Sequence, residues 1–171
     1  MTDIEFKHKV LSLSPRVYPM AVRFLRNEEE AQDAVQEIMI KLWNKRKQLL
    51  RHPNVNGFVF LTARNYCLDL LKKNKRVQID RIDRELNADI YEEPEQEDLK
   101  DAFGIIRKII NELPENQKEV MLMRDIDGLE FEEIAAATGF TKEHIRVLLS
   151  RARKNVRVHY EKKHNYEQGT S

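Results

Sequence analysis

One cysteine, five glycines and five prolines in 171 residues set the first limits on this chain. Cys67 alone builds no disulfide framework and no cysteine metal cluster, and it points to a reducing cytoplasm. So few Gly and Pro argue against a β-rich, turn-rich fold. No apolar run approaches the roughly 20 residues that a bilayer span needs. The opening MTDIEFKHKV lacks the apolar core of a signal peptide. His8, His52, His144, His159 and His164 have no metal-ligand spacing, and there is no phosphate-cradling glycine loop or Cys/His nucleophile pair. Catalysis, a metal and a cofactor are therefore not expected. What remains is 41% hydrophobic and 35% charged residues, the composition of a charged, soluble, helical protein. The length suits one domain or two small ones.

The densest information lies in residues 128–154, GLEFEEIAAATGFTKEHIRVLLSRARK. Ile134, Ala135 and Ala136 give a first helix a small apolar face. Thr138-Gly139-Phe140 makes a sharp turn, with Gly139 suited to a left-handed backbone. Thr141 is a fitting N-cap for a second helix. Ile145, Leu148, Leu149 and Ala152 recur at spacings of three and four, while Arg146, Arg151, Arg153 and Lys154 lie off that stripe. Two helices joined by a short Gly turn, the second basic, fit the major groove of duplex DNA. A packed helical hairpin with a solvated basic face has the same pattern.

A net charge of +1 hides a layout in blocks. Lys41 to Arg76 carries ten cations against one acid, Asp69. Asp80 to Asp101 is acidic, and Lys142 to Lys163 is basic again. Two basic modules around an acidic connector suggest polyanion binding at both ends. The connector, residues 77–97, has no steady apolar period and holds Pro94 in an acidic run, which reads as a flexible or partly helical linker. Its acids are expected to compete with DNA for the cations of the free chain.

Residues 1–76 read as a helical bundle. Phe6, Val10, Leu11 and Leu13 begin it, and Ser14-Pro15 looks like a cap followed by Pro at the first helical position. Val17, Met20, Ala21, Phe24 and Leu25 form the next stripe, which Asn27 ends. A longer helix starts near Glu28, where three glutamates suit the positive end of its dipole. Ala31, Ala34, Val35, Ile38, Leu42 and Leu49 line its buried side; Asp33, Gln36 and Glu37 lie opposite. His52-Pro53-Asn54 breaks it. A helix from about Asn56 to Lys73 comes next, with Phe58, Leu61, Ala63, Tyr66, Leu68 and Leu71 at interior-compatible positions. Phe58, Phe60 and Tyr66 lie among Arg64, Lys72, Lys73, Lys75 and Arg76. Unpaired bases stack on such rings while cations follow the phosphates, although rings at this spacing also serve as core.

The runs EEEAQDAVQEIMIKLW, GFVFLTARNYCLDLLKKNKR and LPENQKEVMLMRDIDGLEFEEIAAATGFTKEHIRVLLSRARK, in this order, resemble a bacterial RNA polymerase sigma factor of the small extracytoplasmic-function type. The resemblance implies an all-α chain of two small helical domains. Residues 1–76 would be the region 2-like domain, 77–97 the acidic linker, 98–163 the region 4-like helix-turn-helix domain and 164–171 a polar tail. It implies binding to core RNA polymerase through Asp33, Gln36 and Glu37, and promoter contacts by both domains. The loop from about Lys47 to Asn56 resembles the family's specificity loop, which receives a flipped base of the minus-ten element. Asn65, Arg64, Phe58, Lys72, Lys73 and Arg76 match the single-strand side, with Phe58 standing where relatives often have Trp. Lys142, His144, Arg146, Val147, Arg151, Arg153 and Lys154 match the recognition helix for the minus-thirty-five element. Val147 and Leu148 replace a polar pair common in relatives. An anti-sigma partner, a monomeric free protein and no small-molecule substrate are implied as well. The competing reading from the residues is a one-component helix-turn-helix regulator on a helical sensor or dimerisation domain.

Overall fold

A computed structural model describes residues 1–84 and 102–169, and these form helices joined by short turns, with no strand among them. The helices are α1 (Asp3–Lys9), α2 (Ser14–Leu25), α3 (Glu28–Asn44), α4 (Arg46–Leu49) and α5 (Val55–Arg84), then α6 (Ala102–Asn111), α7 (Glu115–Met121), α8 (Phe131–Thr138) and α9 (Lys142–Gly169). A 3-10 turn, Leu11–Leu13, precedes α2, and a π turn, Leu122–Ile126, comes after α7.

Local chemistry fixes the boundaries. Thr2 and Glu5 form a reciprocal capping box on α1. The 3-10 turn brings the chain into α2 directly, so Ser14 is its first residue instead of its cap. Arg26, at φ 54°, ends α2 in the left-handed region, and Asn27 then caps α3 by accepting from the Glu30 amide at 2.9 Å. Asn27 therefore starts a helix where the sequence pattern had it finishing one. The helix expected to run on to Leu49 stops at Asn44, and Leu49 is buried from the separate turn α4. α5 passes Lys73 and continues through Arg84, into the stretch read as linker. The rest of that stretch lies outside the described residues. α9 likewise continues through the polar tail to Gly169.

Most of the buried apolar residues form one contiguous cluster. In the N-terminal half it includes Phe6, Val17, Ile38, Leu42, Phe60 and Cys67; in the C-terminal half, Met123, Leu129, Ile134 and Ile145. Two residues placed inside by spacing are not there: Leu11 is 43% and Leu71 37% exposed. Leu71 begins the stretch where α5 has left the bundle, and residues 71–78 are all exposed. Cys67 is buried, and burial pushes its thiol up to about 11. It is a small core residue, not a nucleophile. The most extensive contact between any two helices joins α5 to α8, one from each half of the chain.

Candidate functional site

α3 offers the first surface. Ala31, Ala34, Ile38 and Leu42 anchor it in the core, which leaves Asp33, Gln36, Glu37 and Ile40 exposed on the opposite side. This is an acidic, hydrogen-bonding face with an apolar edge (Ile40 is 53% exposed). Among the described residues, no element of the C-terminal half is packed extensively on α3.

The second surface is the break before α5. His52 Nδ1 accepts from the Asn54 amide at 3.1 Å, and Asn54 Oδ1 accepts from the Gly57 amide at 2.8 Å, so Asn54 caps α5. The rings of His52 and Phe58 lie 5.2 Å apart. Lys45 reaches the Phe58 ring and Lys41 the Tyr66 ring, at 5.7 and 5.2 Å. Phe60 is wholly buried, whereas Phe58 and Tyr66 are half-buried. The aromatics thus divide: one is core, and two stand at the surface with cations against them. Asn65, Lys72, Lys73 and Arg76 are exposed on α5. Asn65 lies eight residues beyond Gly57, about 12 Å along the helix. Arg64 is not free; it pairs with Glu119 of α7.

The third surface is α8, the turn and α9. Gly139, at φ 80°, closes α8, and Thr141 Oγ1 accepts from the His144 amide at 3.2 Å to start α9. Ile145, Leu148, Leu149 and Ala152 face inward as their spacing required. Arg146, Val147, Arg151, Arg153 and Lys154 are exposed, as is His144, whose ring lies 5.1 Å from Phe140. Arg146 and Arg124 both lie over the Phe131 ring, at 5.5 and 5.0 Å. Arg146, Ser150, Arg153, Lys154 and Arg157 line an open cleft of about 470 Å³ floored by Phe131 and Leu149. Ser150 and Arg157 were absent from the sequence-derived set, yet they continue the same helix face at steps of three and four residues. Local acids already engage two cations of α9: Asp125 binds Arg153 in bidentate fashion, at 2.6 and 3.1 Å, and Glu132 binds Lys142 at 2.7 Å. The Asp125 pair holds Arg153 above the usual guanidinium value, and Lys142 holds Glu132 below the usual carboxylate range. The acidic run expected to compete for these cations lies largely outside the described residues.

Between the two halves runs a charged seam that no sequence pattern signalled. Arg23 of α2 binds Asp127 through two nitrogens, at 2.7 to 3.1 Å, and the Asp127 side chain has 0% exposure. Arg16 binds Glu133 of α8 at 2.8 Å, with that carboxylate 4% exposed. The Arg64–Glu119 pair is the third. Every cation comes from the N-terminal half and every carboxylate from the C-terminal half. Asn54 Nδ2 also donates to the Glu132 carbonyl at 3.4 Å, so the break before α5 is in contact with α8.

These surfaces belong to a chain with clear relatives. The family model described as Sigma-70 region 2 matches residues 10–77, and that described as Sigma-70, region 4 matches residues 103–156. The ECF RNA polymerase sigma factor SigE of Mycolicibacterium smegmatis is 25% identical over 91% of this chain and 61% of its own length. The RNA polymerase sigma factor SigV of Bacillus subtilis is 24% identical over 82% of each. Among solved structures, the sigma factor RpoE of Bartonella quintana, in complex with the anti-sigma factor NepR, aligns over 92% of this chain and 97% of that one. Its TM-score is 0.63 at 24% identity. CnrH, in complex with the cytosolic domain of CnrY, aligns over 92% and 88% with a TM-score of 0.60 at 17% identity. Region 2 fits the bundle that carries the α3 face and the α5 cations, and region 4 fits the helix-turn-helix. The chain therefore belongs to the sigma-70 family of RNA polymerase sigma factors, and within it to the extracytoplasmic-function type.

Proposed function

We propose that this chain binds core RNA polymerase in the cytoplasm and brings it to particular promoters, acting by binding and not by catalysis. Residues 1–76 dock on the polymerase through Asp33, Gln36 and Glu37 of α3. The 47–56 loop, with Phe58, Arg64, Asn65, Lys72, Lys73 and Arg76, takes the opened minus-ten strand. Phe58 offers a ring for stacking, the cations follow phosphates, and the Asn65 amide both donates to and accepts from a base edge. Residues 98–163 hold the upstream duplex with Lys142, His144, Arg146, Val147, Arg151, Arg153 and Lys154, the arginines reading guanine or holding phosphate. An anti-sigma factor is a further proposed partner, supported by the one bound to the structural neighbour from Bartonella quintana.

The observation that carries this reading is the pairing, in one chain, of an exposed acidic α3 face with a helix-turn-helix whose second helix is basic along its outer side. Run-off transcription on genomic fragments with core polymerase tests it directly. New start sites that depend on the added protein are expected, and transcripts identical with and without it would end the proposal.

A further inference from the structure

One cation of α9 is held differently from the others. Arg146 is the fifth residue of the helix, at the end from which a recognition helix meets base edges. Arg153 stands two turns later, about 10 Å further along, and Asp125 already takes hydrogens from its Nε and Nη2. Lys142 is bound to Glu132 at 2.7 Å. Arg146 is in no ion pair among the described residues. Its partner is a ring. Phe131 begins α8, half-buried against the core, and the Arg146 guanidinium lies over it at 5.5 Å. Arg124 lies over the same ring at 5.0 Å, fixed by donating from Nη1 to the Leu129 carbonyl at 2.8 Å.

We propose that Phe131 is a positioning residue for base reading: its ring presents the Arg146 guanidinium to a guanine of the upstream duplex. This rests on the reading of α9 as the helix that enters the major groove.

The two ways of holding an arginine differ in what they leave over. A carboxylate in bidentate contact consumes two of the five guanidinium hydrogens, as Asp125 does with Arg153. An aromatic face attracts the cation through its quadrupole and consumes none. A stacked arginine is therefore restrained in direction with its whole planar fork still to donate. Guanine offers the matching acceptor pair, O6 and N7, in the major groove, whereas adenine sets a donor beside its N7. The second positive charge, Arg124 on the same ring, favours the edge that carries acceptors alone. Glu132 is close enough for Arg146 to lower its pKa, but Lys142 is its hydrogen-bonded partner, so that acid does not occupy the fork.

The test uses the full-length chain, free and bound to core RNA polymerase, with a pool of DNA duplexes randomised over one helical turn. Sequencing the retained duplexes reads the base preference at each position, and anisotropy on one retained duplex reads the salt slope. Wild type should favour guanine at a position where Arg146→Ala shows no preference. Phe131→Leu should lower that preference about fivefold. It should leave the other positions and the salt slope as in wild type, since no phosphate contact is lost. Phe131→Tyr keeps the ring and should keep the preference. On the Arg146→Ala background, Phe131→Leu should change nothing further at that position. Replacing Phe131 by pentafluorophenylalanine retains the shape of the ring and reverses its quadrupole, so it should act as leucine does while sparing the packing of α8. Wild-type guanine preference in both the leucine and the fluorinated proteins would overturn the proposal. A loss of affinity equal on all sequences would also overturn it, because that is the effect of a ring that only packs. A pool that no form of the protein enriches would end the DNA reading of α9 and this assignment together. Enrichment without transcription by core polymerase would end the sigma reading alone, and the base preferences would still decide the role of Phe131.

Discussion

Gly57 and Ala136 face each other across the boundary between the two halves, with room for hydrogen at position 57 and not for carbon. Each lies in a short stretch where one helix crosses another, α5 over α8. The methyl of Ala136 fills the space that the missing Gly57 side chain leaves, whereas Gly128, Gly139 and Gly169 have nothing within 4 Å of such a Cβ.

Gly57→Ala is therefore expected to destabilise the chain by about 1–3 kcal/mol, the usual cost of overpacking. The rigid Ala136 methyl is one obstacle, and the Asn54 amide, held as the cap of α5, is the other. Adding Ala136→Gly should recover part of the loss, although glycine within α8 costs about 0.5–1 kcal/mol of its own. Urea melts of the four proteins in this cycle give the coupling. Strictly additive effects would mean that the two positions do not meet.

Burial raises the Asp127 carboxyl above its ordinary value of 3.8, although the Arg23 partner pulls it down. Between the ordinary and the raised value the folded chain keeps a proton that the unfolded chain has lost. The contribution of this group to stability is thus greatest at low pH, falls as pH rises through that window, and stays lower above it. Asp127→Asn removes that slope. The melting temperature of the variant minus that of wild type should become more favourable to the variant as pH rises from 3.8. Parallel curves for the two proteins would show that Asp127 titrates alike folded and unfolded.

Asp33→Ala with Gln36→Ala should weaken core polymerase binding while leaving the helical spectrum intact, because exposed substitutions usually stay within about 0.5 kcal/mol of wild-type stability. Both residues lie on the outer face of α3. A titration against core polymerase measures the effect, and unchanged affinity would remove α3 from the docking surface.

Asn65→Ala should spare the closed promoter complex and lower permanganate reactivity of the opened region. Asn65 is exposed on α5, so its loss leaves no cavity. Wild-type opening on every promoter tested would exclude a base-contacting role.

Spacing in the sequence revealed what local periodicity controls. The core stripe of α9, the left-handed Gly139 and the Thr141 cap arise from residues within one or two turns of each other, and the structure has all three. The exposed α3 face was legible for the same reason. Elements governed by distant packing were not. α5 runs 11 residues past Lys73, and that part is a charged stretch with no apolar period to announce it, exposed over residues 74–78. Leu71 obeys the core period and is nonetheless 37% exposed, at the start of the exposed stretch 71–78. The Arg23–Asp127 pair joins residues 104 positions apart, beyond any local signal.

The π turn at Leu122–Ile126 gives the chain an unusual dependence on exact length. Its wider loop, closed by the Asp127 amide donating to the Leu122 carbonyl at 2.9 Å, aims two acids in opposite directions within three residues. Asp125 reaches forward to Arg153 on α9, and Asp127 reaches back to Arg23 on α2. A single-residue deletion here would turn the bulge into ordinary α-helix and remove the wider loop that sets the directions of Asp125 and Asp127. Both ion pairs would be lost at once, whereas point substitutions would take them one at a time. The segment should therefore tolerate changes of side chain far better than changes of length, which makes insertions and deletions the sharper genetic probe of it.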